Sequence, residues 1–369
     1  MNRDTDSMRL GELAREIAGW LDGSGPETGT VLSSRVRLAR NVENVSFPHR
    51  GSPDELEGVL GQVDLALTSF DPERTEFPWS FRMSELDELD RALLLERHLG
   101  GRELVGDTPG RAVMVGAGET VSLMVNEEDH LRIQSIHSGL ALTSAWEDAV
   151  SLDRSLEEEL TLAFSDTWGY LTACPTNTGT GLRASVLLHL PGLVLTKQIH
   201  RVLQGVSQVG LAVRGFYGEG SEVMGNFFQV SNQTALGRSE EEVIESLDRV
   251  VRQLVEQESQ ARQVLLRDAR PQVEDKIWRA HGILRHCRSV SSEEVLGLAS
   301  AVRLGVASGV VPEVSTGILN RLLLQTQPAH LQKMAGRPMD SIERDVRRAE
   351  LTRALMREAE GNSSSLDAL

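Results

Sequence analysis

The chain has 369 residues, 40% of them hydrophobic, enough for two domains of ordinary size with real cores. Its formal net charge of −16 argues against a general nucleic-acid binder, whose surface must be basic. The two cysteines, Cys174 and Cys287, lie far apart with no CxxC or Cys/His cluster, which speaks against a disulfide framework and a structural zinc site.

The N-terminus, MNRDTDSMRLGELAREIAGW, is polar, and no stretch approaches the ~18 to 20 apolar residues of a membrane span. The expectation is a soluble, cytoplasmic protein. Leu10, Leu13, Ile17 and Leu21 recur at helical spacing, predicting a short amphipathic helix within residues 1–22, then a linker from Gly23 to Thr30. Residues 30–235 mix helix and strand signals. Strand candidates are Ala112–Val115, Val121–Val125, Leu131–Ile136, Leu193–Thr196, Leu211–Val213 and Phe227–Val230. Short strands in near succession, without a helix between each pair, predict an antiparallel sheet in an α+β domain. From Ser239 the pattern turns helical. Ser239–Glu242 reads as a capping box, and Val243, Leu247, Val250, Val251 and Leu254 follow at helical spacing. Ser291–Glu294 and Asp340–Glu343 read as two further helix starts, and the tail GNSSSLDAL as frayed.

The stretch LTACPTNTGTGLRASVLLHLP, residues 171–191, carries a cysteine, two closely spaced glycines and an arginine. A dinucleotide fingerprint would need an acid about 20 positions on, and KQIHRVLQG has none. No G-x-x-x-x-G-K-[ST] occurs, which excludes a P-loop. Arginines instead recur at what read as loop or strand-edge positions: Arg35, Arg37, Arg132, Arg183 and Arg214. Each alone reads as a surface arginine; together they could neutralise a triphosphate, since the guanidinium fork grips phosphate bidentately and stays charged. The acids of VNEEDH, residues 125–130, and Glu219 in RGFYGEG read either as solvated turn acids or as carboxylates gripping a cationic nucleophile.

The combination SSRVRLARN, VNEEDHLRI, CPTNTGTGLRAS and VRGFYGEGSE, in this order and spacing, resembles the ATP:guanido phosphotransferases, the family of creatine and arginine kinases. The resemblance implies a catalytic domain built as an antiparallel sheet flanked by helices, a glutamine-synthetase-like arrangement. Small-molecule members carry a domain-sized helical region before this core. Here only 32 residues precede Ser33, and a long helical region follows instead. That layout resembles the bacterial protein arginine kinases of the same family. It implies residues 1–29 as N-terminal helix and linker, 30–255 as catalytic domain, and 256–369 as a helical regulatory domain.

The resemblance also implies roles. Ser33, Ser34, Arg35, Val36 and Arg37 match nucleotide-binding positions, as do His98, Arg132, and Arg183 through Ala184, Ser185, Val186 and Leu187. Arg214, Gly215, Phe216, Tyr217, Gly218 and Glu219 complete that set. Glu128 and Glu219 match the catalytic acids, and Cys174 the cysteine beside the guanidinium; Cys287 reads as core. Arg344, Asp345, Val346, Arg347, Arg348 and Ala349 match an RDxxRA stretch that binds phosphoarginine, with Arg344 and Arg348 four apart on one helical face. ATP with Mg²⁺ is the implied cofactor, with no protein metal ligand. Implied partners are proteins with exposed arginine, a zinc-binding activator and a Clp-type unfoldase. A homodimer or higher oligomer is expected, with neither nucleic acid nor membrane bound. A small-molecule guanidino kinase and a catalytically dead phosphoarginine-binding regulator are the alternatives.

Overall fold

The computed structural model describes residues 3–69, 77–106, 109–215 and 225–359. Helix α1 (Arg3–Leu13) opens the chain, followed by strand β1 (Val31–Arg40), α2 (Pro53–Thr68), β2 (Trp79–Arg82) and α3 (Glu88–Glu96). Then come β3 (Ala112–Val115), β4 (Val121–Val125), β5 (Leu131–Ser138) and α4 (Leu142–Glu159). A small hairpin, β6 (Phe164–Ser165) and β7 (Gly169–Tyr170), precedes β8 (Leu182–His189), α5 (Pro191–Leu195) and α6 (Ile199–Gln208). Strands β9 (Leu211–Gly215) and β10 (Phe227–Asn232) end the sheet-forming part. Helices α7 (Glu240–Asp268), α8 (Arg270–His286), α9 (Ser292–Ala307), α10 (Thr316–Gln325), α11 (Pro328–Ala335) and α12 (Ser341–Ala359) follow.

Eight strands form one sheet in the order β2-β3-β4-β5-β1-β8-β10-β9, with every pairing antiparallel. One face is apolar. Val36 and Leu38 of β1, Leu131 and Ile133 of β5, and Ala184 and Val186 of β8 meet Ala145, Ala149 and Leu152 of α4 and Val243, Leu247 and Val251 of α7 in one core. Alternation along each strand then sends the intervening residues to the other face, where β1, β5 and β8 present mostly polar side chains and β2 to β4 bury a further apolar cluster of Phe81, Val113, Val115 and Met124.

A second core lies among α8 to α12, with Ile277, Leu284, Val302, Leu322, Leu331 and Leu355 at its centre. Helix α7 serves both: Val251 and Leu254 lie in the sheet's core, and Leu265 and Leu266 pack against the second. Its Ser239 capping box forms as expected, Ser291 caps α9, and Asp340 and Glu343 cap α12 reciprocally. The Glu96 carboxylate, from α3, accepts the first amides of α11, Ala329 at 2.8 Å and His330 at 3.0 Å, and so ties the two parts together. The adjacent Arg97 is fully buried against Glu119 and His330.

Two expectations change. Leu193–Thr196 is not a strand: Pro191 sits at the first position of α5, where its fixed φ and missing N–H favour helix, and a short apolar run has no period to contradict it. The N-terminal helix ends at Leu13 and a 3₁₀ turn covers Gly19–Leu21, so Ile17 is exposed while Trp20 and Leu21 are buried.

Candidate active site

Arg35 and Arg37 do not lie in a loop or at a strand edge; they are in the middle of β1, a central strand. Arg37 pairs with Arg183 of β8 on one side and Gln134 of β5 on the other. Arg35 pairs with Ser185 and Ile136, and Ala39 with Arg132. Arg214 of β9 pairs with Gln229, which pairs with Leu187, which pairs with Ser33. Because the side-chain period is two, all five arginines share the face opposite the apolar core. Ser33, Ser185 and Leu187 share it too. Ser34, Val36, Ala184 and Val186 point the other way and form its backing; Ser34 Oγ donates to Gly139 O at 2.8 Å. Gly215 follows Arg214 at the end of β9, whereas Phe216, Tyr217, Gly218 and Glu219 lie outside the described residues.

His98 hangs over this face. It has φ +60° just after α3, and its carbonyl accepts a hydrogen bond from Gln134 Nε2 at 2.8 Å. Its ring meets Trp20 edge-on at 5.4 Å. Burial, then the positive charges of Arg35 and Arg37, bring its pKa down to about 3, so it is neutral at physiological pH. Burial and the charges of Arg132 and Arg183 lower Arg35 to about 10. Arg37 is pushed down by burial and by Arg35, Arg132 and Arg183, with Glu127 opposing. Arg37 Nε is buried without a hydrogen-bond partner among the described residues. A crowded set of cations with an orphaned buried donor fits a polyanion such as a triphosphate.

The turn between β4 and β5 borders this face. Asn126, at φ +56°, opens it, and its amide donates to Leu56 O at 2.9 Å and Gly110 O at 2.6 Å. Glu127, which the sequence reading did not separate from its neighbours, is buried against Arg132 and accepts the Glu128 amide at 3.0 Å. Burial would raise its pKa, but Arg132 and that amide outweigh burial and hold the carboxyl below its ordinary range. Glu128 is partly exposed, and its pKa moves up: burial comes first, then the charges of Asp129 and Glu127. It is thus a more basic carboxylate than an ordinary one.

Asp129 ties the acid turn to the cysteine loop. Its Oδ1 accepts the Ala173 amide at 2.7 Å and Asn41 Nδ2 at 2.7 Å. Asn41 also donates to Leu171 O at 3.0 Å and accepts the His130 amide at 2.9 Å. The residue after Ala173 is Cys174, whose Sγ lies 3.0 Å from Thr176 Oγ1. The glycines after it are explained by close approach. Gly179 has φ +117°, and a Cβ there would fall 2.7 Å from Ala235 O. Gly181 has φ +69°, and a Cβ there would fall 2.5 Å from Ala39 O. The loop therefore enters β8 tightly enough to set Arg183 opposite Arg37. Cys174 and Glu128 are brought to one border of the arginine face.

Residues 344–349 lie on α12, which packs into the second core. Arg348 is buried and donates Nε to Thr326 O at 2.8 Å, Nη1 to Val290 O at 3.0 Å, and a further bond to Asp345. Arg344 and Arg347 are partly exposed, Val346 is exposed, and Ala349 is in the second core. Cys287, at the end of α8, packs partly buried against that core, and burial raises its thiol pKa.

The model of the ATP:guanido phosphotransferase C-terminal catalytic domain matches residues 60–261, and that of the protein-arginine kinase McsB C-terminal domain matches residues 270–366. The protein-arginine kinase of Symbiobacterium thermophilum is 49% identical over 347 residues, 93% of this chain and 97% of that one. The protein-arginine kinase of Halothermothrix orenii is 46% identical over 339 residues, 92% and 96% of the two chains. Lombricine kinase shares the fold at a TM-score of 0.55 and 24% identity, covering 68% of this chain and 70% of that chain. The chain belongs to the ATP:guanido phosphotransferases, the phosphagen kinase family, and within it to the protein-arginine kinases. Among the described residues, no helix is long and apolar enough to cross a membrane.

Proposed function

We propose that this chain transfers the γ-phosphoryl group of ATP to the guanidinium of arginine side chains in protein substrates. The observation that carries this reading is the register that gathers Arg35, Arg37, Arg132, Arg183 and Arg214 on one sheet face, with Glu128 and Cys174 at its border. The arginines bind the phosphates and stabilise charge as the phosphoryl group passes. His98, neutral, packs beside them without adding charge. Mg²⁺ bound with the nucleotide would screen the phosphate oxygens. Among the described residues no group of three His, Cys, Asp or Glu is placed to hold a metal ion.

A guanidinium is a poor nucleophile because it is protonated and delocalised. Glu128 orients it and, with a raised pKa, is suited to accept its proton as nitrogen attacks phosphorus. Glu219 is the second acid of this reading, and the Cys174 side chain sits beside the substrate cation. Asp129 and Asn41 are positioning residues for both loops. Positioning supplies most of the catalysis, because the chemistry needs little covalent participation.

The finer reading follows the family. Residues 30–255 would be the catalytic domain and 256–369 a regulatory one that binds phosphoarginine on the Arg344–Ala349 stretch, where Arg348 holds the helix in place and Arg344 is the partly exposed fork. Phosphorylation would mark proteins for Clp-type degradation in the cytoplasm during stress, with a zinc-binding activator and a homo-oligomer involved.

The test is transfer of radiolabel from γ-labelled ATP to an unfolded casein-like protein and, separately, to free arginine. Label on protein arginine supports the proposal. Label on free arginine alone would make the chain a small-molecule guanidino kinase. Label on neither, with phosphoarginine still bound, would make it a regulator without catalysis.

A further inference from the structure

The β6–β7 hairpin is joined directly to the acceptor side of the site. Tyr170 N donates to Gly179 O at 2.8 Å, Leu171 N to Ala163 O at 3.0 Å, and Ala163 N to Asn41 O at 2.7 Å. One hydrogen-bonded strip therefore runs from the hairpin to Asn41, Asp129 and the Cys174 loop. The hairpin has little core of its own, yet it holds Phe164 at 56% exposure and Trp168 at 55%. Large exposed aromatics next to each other mark an interaction surface.

Open grooves lie on both sides of it. One, of about 520 Å³, runs between Phe164, Tyr170 and Leu162 and the last turn of α4, Glu157, Glu158 and Glu159. The other, of about 450 Å³, is bordered by Trp168, Tyr170 and Leu236. Three glutamates at a helix C-terminus oppose the helix dipole, which favours cations there, and no basic residue occupies that turn. Their placement costs helix stability and gives the groove mouth a strong preference for cations. Beneath the hairpin Arg40, itself buried, lies 3.5 Å from the Tyr170 ring, with Asp153 accepting from its Nη2 at 2.6 Å, which fixes Tyr170 as the floor between the two grooves.

We infer that the β6–β7 hairpin and the acidic end of α4 form the docking surface for the polypeptide that flanks the target arginine, an unfolded segment carrying basic and apolar side chains. This rests on the proposed protein-substrate activity. The occupant follows from charge complementarity and from continuity with the Cys174 loop. Basic residues of the segment lie against Glu157–Glu159, apolar ones against Phe164 and Trp168, and the target arginine reaches past Cys174 to Glu128.

The full chain is assayed with two acceptors, an unfolded arginine-containing polypeptide and N-acetyl-arginine methylamide, and polypeptide binding is followed by fluorescence anisotropy. Glu158→Gln with Glu159→Gln should raise the polypeptide KM and Kd about fivefold at low salt, and the difference from wild type should vanish at high salt. The same pair should leave Tm unchanged or higher, because acids leave the negative end of the dipole. Phe164→Ala with Trp168→Ala should raise polypeptide KM about tenfold with little salt dependence. In both variants ATP KM and the rate on the small acceptor stay at wild-type values. Unchanged polypeptide KM in both pairs overturns the docking surface while the kinase reading stands. Equal losses on both acceptors, or a changed oligomeric state in place of a changed KM, also overturn it, the latter making the patch a contact between copies. Wild type that labels neither acceptor removes the kinase reading and the docking surface with it.

Discussion

Among the inward-facing arginines of the described residues, two groups are held in opposite ways. Arg97 and Arg348 are fully enclosed, and their N–H groups meet partners: Glu119, His330 and a backbone carbonyl for Arg97, Asp345 and two carbonyls for Arg348. Arg35 and Arg37 face each other's neighbours Arg132 and Arg183, and within that group Glu127 is the opposing acid. The first set is structural, since each charge is neutralised or hydrogen-bonded inside the fold. In the second, among the described residues, the cations outnumber the acid set against them, and a bound polyanion would relieve their mutual repulsion. Burial alone does not distinguish a structural arginine from a ligand-binding one; the surrounding charges do.

The largest effect should come from the structural set. Arg348→Ala leaves Asp345 and the Thr326 and Val290 carbonyls without their donor, and should cost about 3 kcal/mol of stability. Chemical denaturation of the purified variant measures it; a loss under ~0.5 kcal/mol would put Arg348 with the solvated arginines of α12. Next comes Glu128→Gln, expected to slow turnover by about 10²-fold or more while nucleotide binding stays near normal. Turnover within about tenfold of wild type would remove Glu128 from the chemistry.

Smaller effects sharpen the contrast. Arg183→Lys keeps the charge and loses the fork, so ATP affinity should fall about tenfold by calorimetry without loss of stability. Wild-type affinity would show that charge alone suffices at that position. The raised pKa of Glu128 sets a pH dependence: the carboxylate is needed, so kcat/KM falls as pH drops through a value above that of an ordinary glutamate. Asp129→Asn keeps an oxygen to accept the Ala173 amide and removes a neighbouring negative charge, so this acid limb should move to lower pH. The limb staying in place would assign it to another group. Last, Arg344→Ala, on a partly exposed position, should change stability by less than ~0.5 kcal/mol while weakening phosphoarginine binding. It is a cleaner test of the regulatory proposal than any change at Arg348, whose loss disturbs the second core. Unchanged binding would leave residues 344–349 a structural helix face.

Much of the site was legible because its residues recur in local motifs. Alternation in SSRVRL places polar residues at 33, 35 and 37, which is strand spacing, yet two arginines within five residues look like a loop until flanking strands cover them. The family resemblance located Arg35, Arg37, Arg132, Arg183 and Glu128 without showing that one sheet face joins them. Glu127 was not legible, because EED offers three similar acids and only the fold buries one against Arg132. The clamp by Asn41 and Asp129 was hidden for another reason: its partners are 88 and 44 positions apart. Helix α5 was misread because the three apolar residues Leu193, Val194 and Leu195 fit either period.

Helix α7 has a consequence for how the molecule melts. Its 29 residues make a rod of about 44 Å whose first half is packed into one core and whose last turns reach the other. Midway, Glu258 accepts the amides of Gly192 and Leu193 at 2.8 and 2.9 Å, and Arg262 reaches Thr30 Oγ1 at 3.1 Å. Neither core can lose its order without stripping hydrogen-bonded turns that the other relies on. Calorimetry should therefore record one endotherm for the whole chain, with equal van't Hoff and calorimetric enthalpies. A nucleotide bound at the sheet should then shift the melting of helices that it never touches.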